Sequence, residues 1–447
     1  MNLKNNKIEI LDNGCMDNLN SLEHLILTRN LLSSFPKKVF PSSLLELELN
    51  RNKFVDIKGL AFHGLDNLRV LRFKRNKIEY LMDGAFFGLY NLTELSLDRN
   101  RINKVNKGWL YDDKPYTLRY LSLAHNNVDF IEEDAWEFCG ELNELDLRSN
   151  KLQLLDHMTL SRLPSLKHLY LQDNKISHIE GRHSGVQMQS SGGSKGNKNS
   201  LTFADVPLLE TLALDGNEIS HTIEDMEAPF DGLANLKALT LSRNHIKSIG
   251  AQAFVGLEKL EEIDLKDNTI STVQENAFEH LTHIKTIKIN SISMLCDCYL
   301  KWFPKWLNAT NVNQDAMTAT CAHPEQLKNH YIKFIPYESY TCEDFPKPYI
   351  LSQPETQVTL HSSNLTLSCR AASTSPANMT FEWKIDSDMV DANEDPDCVD
   401  RCIRYIPHSY DGKGREITSE LHLTNLTYDD AGRYQCVVSN RFGVTYR

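Results

Sequence analysis

Leucines and asparagines recur along the chain in one fixed frame. The frame is LxxLxLxxN, and its asparagine stands ten times at intervals of 22 to 27 residues, apart from one interval of 43 residues. These asparagines are Asn30, Asn52, Asn76, Asn100, Asn126, Asn150, Asn174, Asn217, Asn244 and Asn268. A shorter copy that begins at Leu3 precedes them, and a degenerate copy that begins at Ile284 follows. A self-similarity with a period of about 24 residues indicates a repeat architecture.

Each repeat carries two sets of apolar positions. In Leu145-Asp146-Leu147 leucines alternate with a polar residue, which predicts a short strand with both leucines inward and Asp146 outward. The frame asparagine turns the chain out of the strand and can satisfy backbone groups that no sheet reaches. A second apolar set, such as Ala85-Phe86 with Gly88-Leu89, follows on the return leg. Because one unit cannot bury both sets, about twelve stacked units over residues 1–292 predict a curved leucine-rich repeat solenoid, with a parallel β-sheet on the concave face and an irregular convex side.

The interval of 43 residues contains about 19 more than one repeat needs. The surplus is residues 181–200, GRHSGVQMQSSGGSKGNKNS, which is rich in Gly, Ser, Lys and Asn and nearly free of large apolar residues. This composition predicts a flexible loop on the flank or convex side. A partner-binding or protease-sensitive loop is one interpretation, but we favour a tolerated insertion, because surface loops commonly accept extra residues.

Composition excludes several protein classes. The chain has 447 residues, a formal net charge of −12, 41% hydrophobic residues and 24% charged residues, which is ordinary for a folded globular protein. Because no Lys/Arg-rich run is present, we expect no nucleic-acid partner. No stretch of about 18 consecutive apolar residues occurs, and the first ten residues lack the apolar core of a signal peptide. We therefore expect any membrane span to lie outside these 447 residues.

Eight of the ten cysteines follow the repeats. Cys296, Cys298, Cys321 and Cys342 lie in residues 293–344, which we interpret as a cysteine-rich cap on the last repeat. Four cysteines allow three pairings, and zinc is the rival interpretation. We favour disulfides because Cys-x-Cys followed by two isolated cysteines lacks the paired spacing of zinc ligands, and this places the chain in an oxidising compartment.

The remaining two cysteines stand inside the repeats. Cys15 and Cys139 occupy the Ala and Leu positions of the Ala-Phe-x-Gly-Leu stretch. We expect both to be reduced, buried and inert.

Residues 345–447 follow a Pro-marked joint and have the pattern of an immunoglobulin-like, all-β sandwich of the I-set type, truncated at its C-terminus. Cys369 lies in a predicted strand in which apolar and polar residues alternate, and Trp383 follows 14 residues later. Tyr434 stands two residues before Cys436, as in a tyrosine corner. We expect Cys369 and Cys436 to bridge the two sheets. For Cys398 and Cys402, which stand among acidic residues, we favour a local disulfide over a metal site.

Five Asn-x-Ser/Thr sequons are candidate glycosylation sites. They are Asn91, Asn308, Asn364, Asn378 and Asn425. Together with the cysteines they are typical of a secreted or cell-surface ectodomain.

Catalytic motifs are absent from the sequence. Sixteen histidines are scattered without HExxH, and neither GxSxG nor a Walker-type glycine loop occurs. Outward carboxylate pairs such as Glu144 and Asp146 follow from the repeat itself. We therefore expect no enzyme activity, no metal and no cofactor.

The concave face is the candidate binding surface, because a solenoid offers a long preorganised surface for protein partners. Tyr120 and Tyr170 next to Arg148 are residue types that form interface hot spots, and Arg72 and Lys74 point outward on neighbouring repeats. A merely solvated face remains the alternative for each single residue.

The combination of repeats, cap and immunoglobulin domain resembles the leucine-rich repeats and immunoglobulin-like domains family. The resemblance is carried by the stretches Asp344–Pro348, Gln353–Gln357, Ser363–Leu365, Met379–Phe381 and Tyr434–Asn440. The cap spacing, which is similar to that of extracellular leucine-rich repeat proteins, implies the pairs Cys296–Cys321 and Cys298–Cys342.

The resemblance implies a single-pass cell-surface protein. Some members of that family restrain receptor tyrosine kinase signalling. The resemblance implies a surface regulator that binds receptors or growth factors as protein partners. Alternatives are an adhesion molecule acting in trans and the ectodomain of a receptor kinase. The missing N-terminal cysteine cap, the 181–200 insertion and the Cys398/Cys402 pair depart from the family pattern, so we expect a partial ectodomain.

Overall fold

The computed structural model describes most of the chain. The described residues are 1–110, 114–179, 202–220, 223, 228–313, 315–341, 347–375, 377–385, 388–390, 392, 401–410 and 415–446. The 181–200 insertion lies outside these residues.

Within the described residues, eleven short strands stack in sequence order into one parallel sheet. They are His24–Ile26, Glu46–Glu48, Val70–Arg72, Glu94–Ser96, Tyr120–Ser122, Glu144–Asp146, His168–Tyr170, Thr211–Ala213, Ala238–Thr240, Glu262–Asp264 and Thr286–Lys288. The central residues lie in register, so Leu145 pairs with Leu121 on one side and Leu169 on the other. All three leucines are fully buried. The predicted solenoid and its parallel sheet are confirmed.

The return legs consist mainly of turns, with a few two-residue strands. These strands pair Asp56–Ile57 with Tyr80–Leu81, Lys104–Val105 with Phe130–Ile131, Leu154–Leu155 with His178–Ile179, and Ser248–Ile249 with Thr272–Val273. One return leg also contains a 3-10 helix, Lys107–Leu110, directly after the strand Lys104–Val105. The convex side is therefore irregular, as expected.

The long interval does not interrupt the sheet. His168–Tyr170 pairs directly with Thr211–Ala213, although 43 residues separate their frame positions. The Asn217 amide donates to the Leu171 carbonyl at 3.0 Å, so the hydrogen-bond pattern of the turns also continues across the interval.

The frame asparagines form a buried ladder that ties adjacent units together. The Asn150 amide donates to the carbonyl of Leu147 in its own unit at 2.9 Å and to that of Leu123 in the preceding unit at 3.0 Å. The Asn150 Oδ1 accepts the N–H of Val128 at 3.0 Å. Backbone groups that leave the sheet are thus satisfied without water, which fixes the turn after every strand.

Aromatic rings continue the core from the repeats into the cap. Stacked phenylalanines follow one another at centroid distances of 5.7 to 6.4 Å, in the order Phe203, Phe230, Phe254 and Phe278. Phe278 then contacts Phe303 at 5.5 Å and Trp306 at 5.6 Å in the α-helix Trp302–Ala309. The cap therefore covers the apolar end of the last repeat.

The rest of the cap is short and irregular. A parallel pair joins Met294–Leu295 to Cys321–His323. Three 3-10 helices follow, Glu325–Leu327, Ile332–Phe334 and Tyr337–Ser339.

Two antiparallel sheets form the immunoglobulin-like sandwich. One contains, in spatial order, Tyr349–Ser352, Leu365–Ser373, Arg415–Leu423 and Cys402–Tyr410, and the other Asp388–Met389, Thr380–Ile385, Tyr434–Asn440 and Gly443–Tyr446. Trp383 is buried between the sheets and donates to the Ser419 hydroxyl at 2.9 Å. The Tyr434 hydroxyl donates to the Asp430 carbonyl at 2.9 Å beside the 3-10 helix Tyr428–Asp430. This bond is the tyrosine corner that the sequence predicts.

The last hairpin of the sandwich contacts both the cap and the repeats. The Phe442 ring meets the His323 ring edge to face at 5.8 Å. Gly443 has a φ of 153°, and a Cβ there would lie 3.1 Å from the Ser271 hydroxyl. A side chain at this position would therefore crowd the repeat that contains Ser271.

Candidate functional site

The concave sheet places the five candidate side chains on neighbouring strands. Arg72 and Tyr120 lie in strands, whereas Lys74 and Arg148 follow a strand by two residues. Tyr170 lies beside Asp146 across the sheet. Because the central leucines point inward, these side chains project from the concave face.

Arg72 is enclosed by three carboxylates from the two neighbouring strands. Its Nε lies 2.7 Å from Glu94 Oε1 and its Nη1 lies 3.1 Å from Glu48 Oε1, and it also pairs with Glu46. Burial acts to raise the pKa of Glu46, but hydrogen bonds from His24 and Arg72 outweigh it, so the pKa is lowered. This end of the face is a network with more carboxylates than cations. The Arg72 guanidinium is already paired with three of these carboxylates.

Lys74 belongs to a second network. Its Nζ lies 2.8 Å from Asp98 Oδ2, and the Ser96 hydroxyl donates to the same oxygen at 2.7 Å. The Ser122 hydroxyl donates to Asp98 Oδ1. Burial alone would raise the pKa of Asp98, but these contacts lower it, so the carboxylate stays charged while mostly buried.

Tyr120, Arg148 and Tyr170 form the centre of the candidate face. Arg148 makes a two-point contact with Asp146, at 2.9 Å from Nε to Oδ1 and 2.6 Å from Nη2 to Oδ2. The guanidinium carbon lies 5.4 Å from the centre of the Tyr170 ring. Burial raises the pKa of Tyr120 and of Tyr170, so both phenols remain neutral donors at physiological pH. The structure thus holds Arg148 in place while half of its side chain stays exposed.

A shallow pocket of about 340 Å³ opens beside this centre. It is lined by Lys74, Arg75, Asp98, Arg99, Tyr120, Ser122, Ala124, His125, Asp146, Arg148, Ser149 and Asp173. Nearby, Gln172 Oε1 is buried and accepts no hydrogen bond within the described residues. His125 and Ser149 were not candidates from sequence. Both stand directly before a frame asparagine, so the repeat register was the signal that could have found them.

A larger cleft of about 1110 Å³ lies between the last repeat, the cap and the immunoglobulin domain. Trp302, Trp306 and Tyr337 line it, and the Lys301 ammonium lies 4.0 Å from the centre of the Tyr337 ring. The cleft could not be predicted from sequence, because its walls come from three separate parts of the chain.

Two of the four predicted cysteine pairs can be placed. Disulfides join Cys296 to Cys321 and Cys369 to Cys436. Cys298 and Cys402 are also disulfide-bonded, and their predicted partners at 342 and 398 lie outside the described residues.

The expectation that both repeat cysteines are buried is wrong for one of them. Cys139 is a buried free thiol, whereas Cys15 is an exposed free thiol. Ala85, at the position equivalent to Cys15, is packed between units on both sides and fully buried. Among the described residues, the unit that contains Cys15 packs against a following unit, and its other side is not covered by them. Burial raises the pKa of Cys139 to about 12, so its thiol is protonated.

All five sequon asparagines are exposed, as attachment of a glycan requires. The Asn91 amide donates to the Asp66 carbonyl at 2.7 Å, and Asn364 Oδ1 accepts the N–H of Asn425 at 3.1 Å. Glycosylation of these residues stays a prediction.

Among the described residues, no cluster of three or more His, Cys, Asp or Glu side chains is arranged to bind a metal ion. The described helices are all too short or too polar to cross a bilayer.

Family models identify both kinds of domain. A leucine-rich repeat model matches residues 42–102, 90–152, 140–184 and 234–291, and an immunoglobulin domain model matches residues 347–440.

Curated relatives carry the same pair of domains in their names. Human leucine-rich repeats and immunoglobulin-like domains protein 1 is 48% identical over 227 residues, which cover 51% of this chain and 20% of the relative. Human leucine-rich repeats and immunoglobulin-like domains protein 2 is 44% identical over 227 residues, which cover 51% of this chain and 21% of the relative. The resemblance to this family is confirmed, and the match spans about a fifth of these relatives.

Solved structures share the fold at low identity. A chain of the octameric complex of Latrophilin 3, Unc5D and FLRT2 aligns with a TM-score of 0.52 at 22% identity, covering 75% of this chain and 87% of that chain. The Drosophila Toll–Spatzle complex aligns with a TM-score of 0.54 at 20% identity, covering 76% of this chain and 48% of that chain. These similarities establish the architecture alone.

Proposed function

We propose that this chain is a non-catalytic, cell-surface protein-binding ectodomain that modulates growth-factor signalling by binding receptor tyrosine kinases or related receptors. The observation that carries the proposal is the centre of the concave face, where Arg148 lies between Tyr120 and Tyr170. Relatives named for the same two domains support the extracellular setting. The disulfides support it as well, since such bonds persist in oxidising compartments.

We place binding at the centre of the concave face because its side chains are already held in position before a partner arrives. Arg148 is already held by Asp146 and by the Tyr170 ring, so little side-chain freedom is lost when a partner binds. The two tyrosines offer rigid apolar surface together with a hydroxyl, as interface anchors commonly do.

The test measures binding of the purified, glycosylated chain to a panel of receptor tyrosine kinase ectodomains and their growth factors. The variant Tyr120→Ala/Tyr170→Ala removes both anchors. We expect it to lose at least about 2 kcal/mol of binding free energy, which is roughly a 30-fold rise in Kd.

Tyr80→Ala is the matched control. Tyr80 is 58% exposed and lies in an outer two-residue strand, away from the concave sheet. We expect it to bind like the unmodified chain. Equal affinity of the double variant would refute the assigned face, and failure of every receptor and growth factor to bind would refute the function.

A further inference from the structure

A row of basic side chains runs along the edge of the concave sheet where its strands end. In five consecutive units the residue directly before the frame asparagine is Arg29, Arg51, Arg75, Arg99 and His125, and all five are exposed. We call these residues the basic row. In sequence they are 22 to 26 residues apart, whereas stacking of the units places neighbours about 4.8 Å apart along the sheet, so the row is about 19 Å long.

The backbone holds the basic row in register. The N–H of Arg51 donates to the Lys74 carbonyl at 2.8 Å, and the N–H of Arg75 donates to the Asp98 carbonyl at 2.8 Å. The Arg99 and His125 N–H groups donate in the same way to the next unit. Each side chain therefore leaves the solenoid from an equivalent, fixed point.

The arginines of the row have no carboxylate partners. Among the described residues no ion pair reaches Arg29, Arg51, Arg75 or Arg99, although the whole chain carries a net charge of −12. Asp98, the nearby buried carboxylate, is held by Lys74. The positive charges of Arg75 and Arg29 lower the pKa of Arg51, because like charges disfavour its protonated form.

The backbone conformation at the row is costly for arginine. Arg29, Arg51, Arg75 and Arg99 have φ values of 54° to 60°, in the left-handed region that non-glycine residues avoid. Of the other units, four fill the same position with residues that tolerate this region, namely Asn5, Asp173, Gly216 and Asp267, whereas Ser149 and Arg243 share the conformation outside the row. The left-handed turn belongs to the repeat and can be formed by other residues, so four arginines in successive units, without carboxylate partners among the described residues, point to a ligand.

We propose that the basic row binds a linear sulfated polysaccharide of the glycosaminoglycan type, lying along the edge of the solenoid across these five units. A guanidinium forms paired hydrogen bonds with sulfate and carboxylate groups, and an evenly spaced array suits a polymer whose anionic groups recur. Lys53 and Lys77, which are exposed and one residue beyond the frame asparagines, extend the positive surface sideways. In the oxidising compartment that the disulfides indicate, such polysaccharides are the abundant linear polyanions.

The experiment measures binding of the secreted full chain to immobilised heparin at several salt concentrations around 0.15 M. The variant Arg51→Asn/Arg75→Asn removes two charges with a residue suited to the backbone conformation. We expect heparin binding by the unmodified chain that weakens steeply with salt, and about tenfold weaker binding by the double variant, since each exposed charge contact is worth up to about fivefold.

Arg243→Asn is the matched control. Arg243 occupies the same position of its unit with a φ of 53°, but it lies outside the row and pairs with Asp173 at 3.2 Å. We expect this variant to bind heparin like the unmodified chain. Equal loss in the control and the double variant, or no binding by the unmodified chain, would overturn the proposal.

Competition identifies the ligand class. Soluble heparin should displace the chain, whereas desulfated heparin, double-stranded DNA and vesicles containing phosphatidylserine should not at the same concentration of anionic groups. Equal displacement by any of these three would overturn the assignment to a sulfated polysaccharide. The outcome is separable from receptor binding, because the Tyr120→Ala/Tyr170→Ala variant leaves the basic row intact.

Discussion

Replacement of Asn150 by alanine tests the asparagine ladder that holds the units together. The largest effect is at Val128, whose buried N–H donates to Asn150 Oδ1 at 3.0 Å and to no other described residue. Leaving one buried donor without a partner costs about 1–3 kcal/mol. The carbonyls of Leu123 and Leu147 lose less, because each also accepts from the amide of a neighbouring frame asparagine, at 2.8 Å and 3.0 Å. With about 0.5 kcal/mol for each of these two bonds, the free energy of unfolding should fall by about 3 kcal/mol.

Urea unfolding followed by circular dichroism measures this change. The slope of the unfolding free energy against urea should stay the same, so that the shift in midpoint reports stability alone. Asn103→Ala is the control, because Asn103 is exposed and no hydrogen bond of its side chain is seen in the structure. The control should change stability by less than about 0.5 kcal/mol. A loss below about 1 kcal/mol for Asn150→Ala at unchanged slope would refute the reasoning.

Three further outcomes follow from the same structure. Removal of the Cys369–Cys436 disulfide, which closes a loop with a sequence separation of 67, should lower the unfolding free energy of the sandwich by about 4 kcal/mol in the chain-entropy model, measured by urea unfolding of the double Ala variant. Asp98, whose folded-state pKa lies below its usual 3.8, stabilises the fold above that pH and loses this contribution as pH falls through the folded value; Asp98→Asn should flatten this part of the stability–pH curve. In a thiol-reagent assay Cys15 should react in the native protein and Cys139 only after unfolding, and a fast native reaction of both would contradict the assigned burial.

The repeat frame was readable from sequence because its physics is local. A leucine on each side of an outward residue and an asparagine at a constant distance specify a strand and a turn without knowledge of the neighbours. The immunoglobulin pattern was readable for the same reason, since Trp383 and Tyr434 stand at set distances from the two cysteines. Burial of Cys15 was predicted wrongly because burial depends on the unit alongside, and a pattern within one unit does not contain that information.

Sequence predicted the outward residues of the concave face but not their partners. Arg72 and Lys74 were candidates for contact with a ligand, yet the structure commits both to carboxylates from other strands. Those carboxylates are 22 to 26 residues away along the chain. Charge pairing across a solenoid follows the lateral stacking of units, and small differences in unit length and side-chain direction decide which neighbours meet.

The sequence by itself determined the unit, its strand, its turn and the order in which the units stack. The tertiary structure decided which chemistry those units present together. The sequence has no Lys/Arg-rich run, yet Arg29, Arg51, Arg75 and Arg99 form a row of basic side chains. The reason is geometric: in-register hydrogen bonds between parallel strands convert a separation of about two dozen residues into about 4.8 Å, so a charge that is dilute along the chain becomes concentrated along the edge of the sheet.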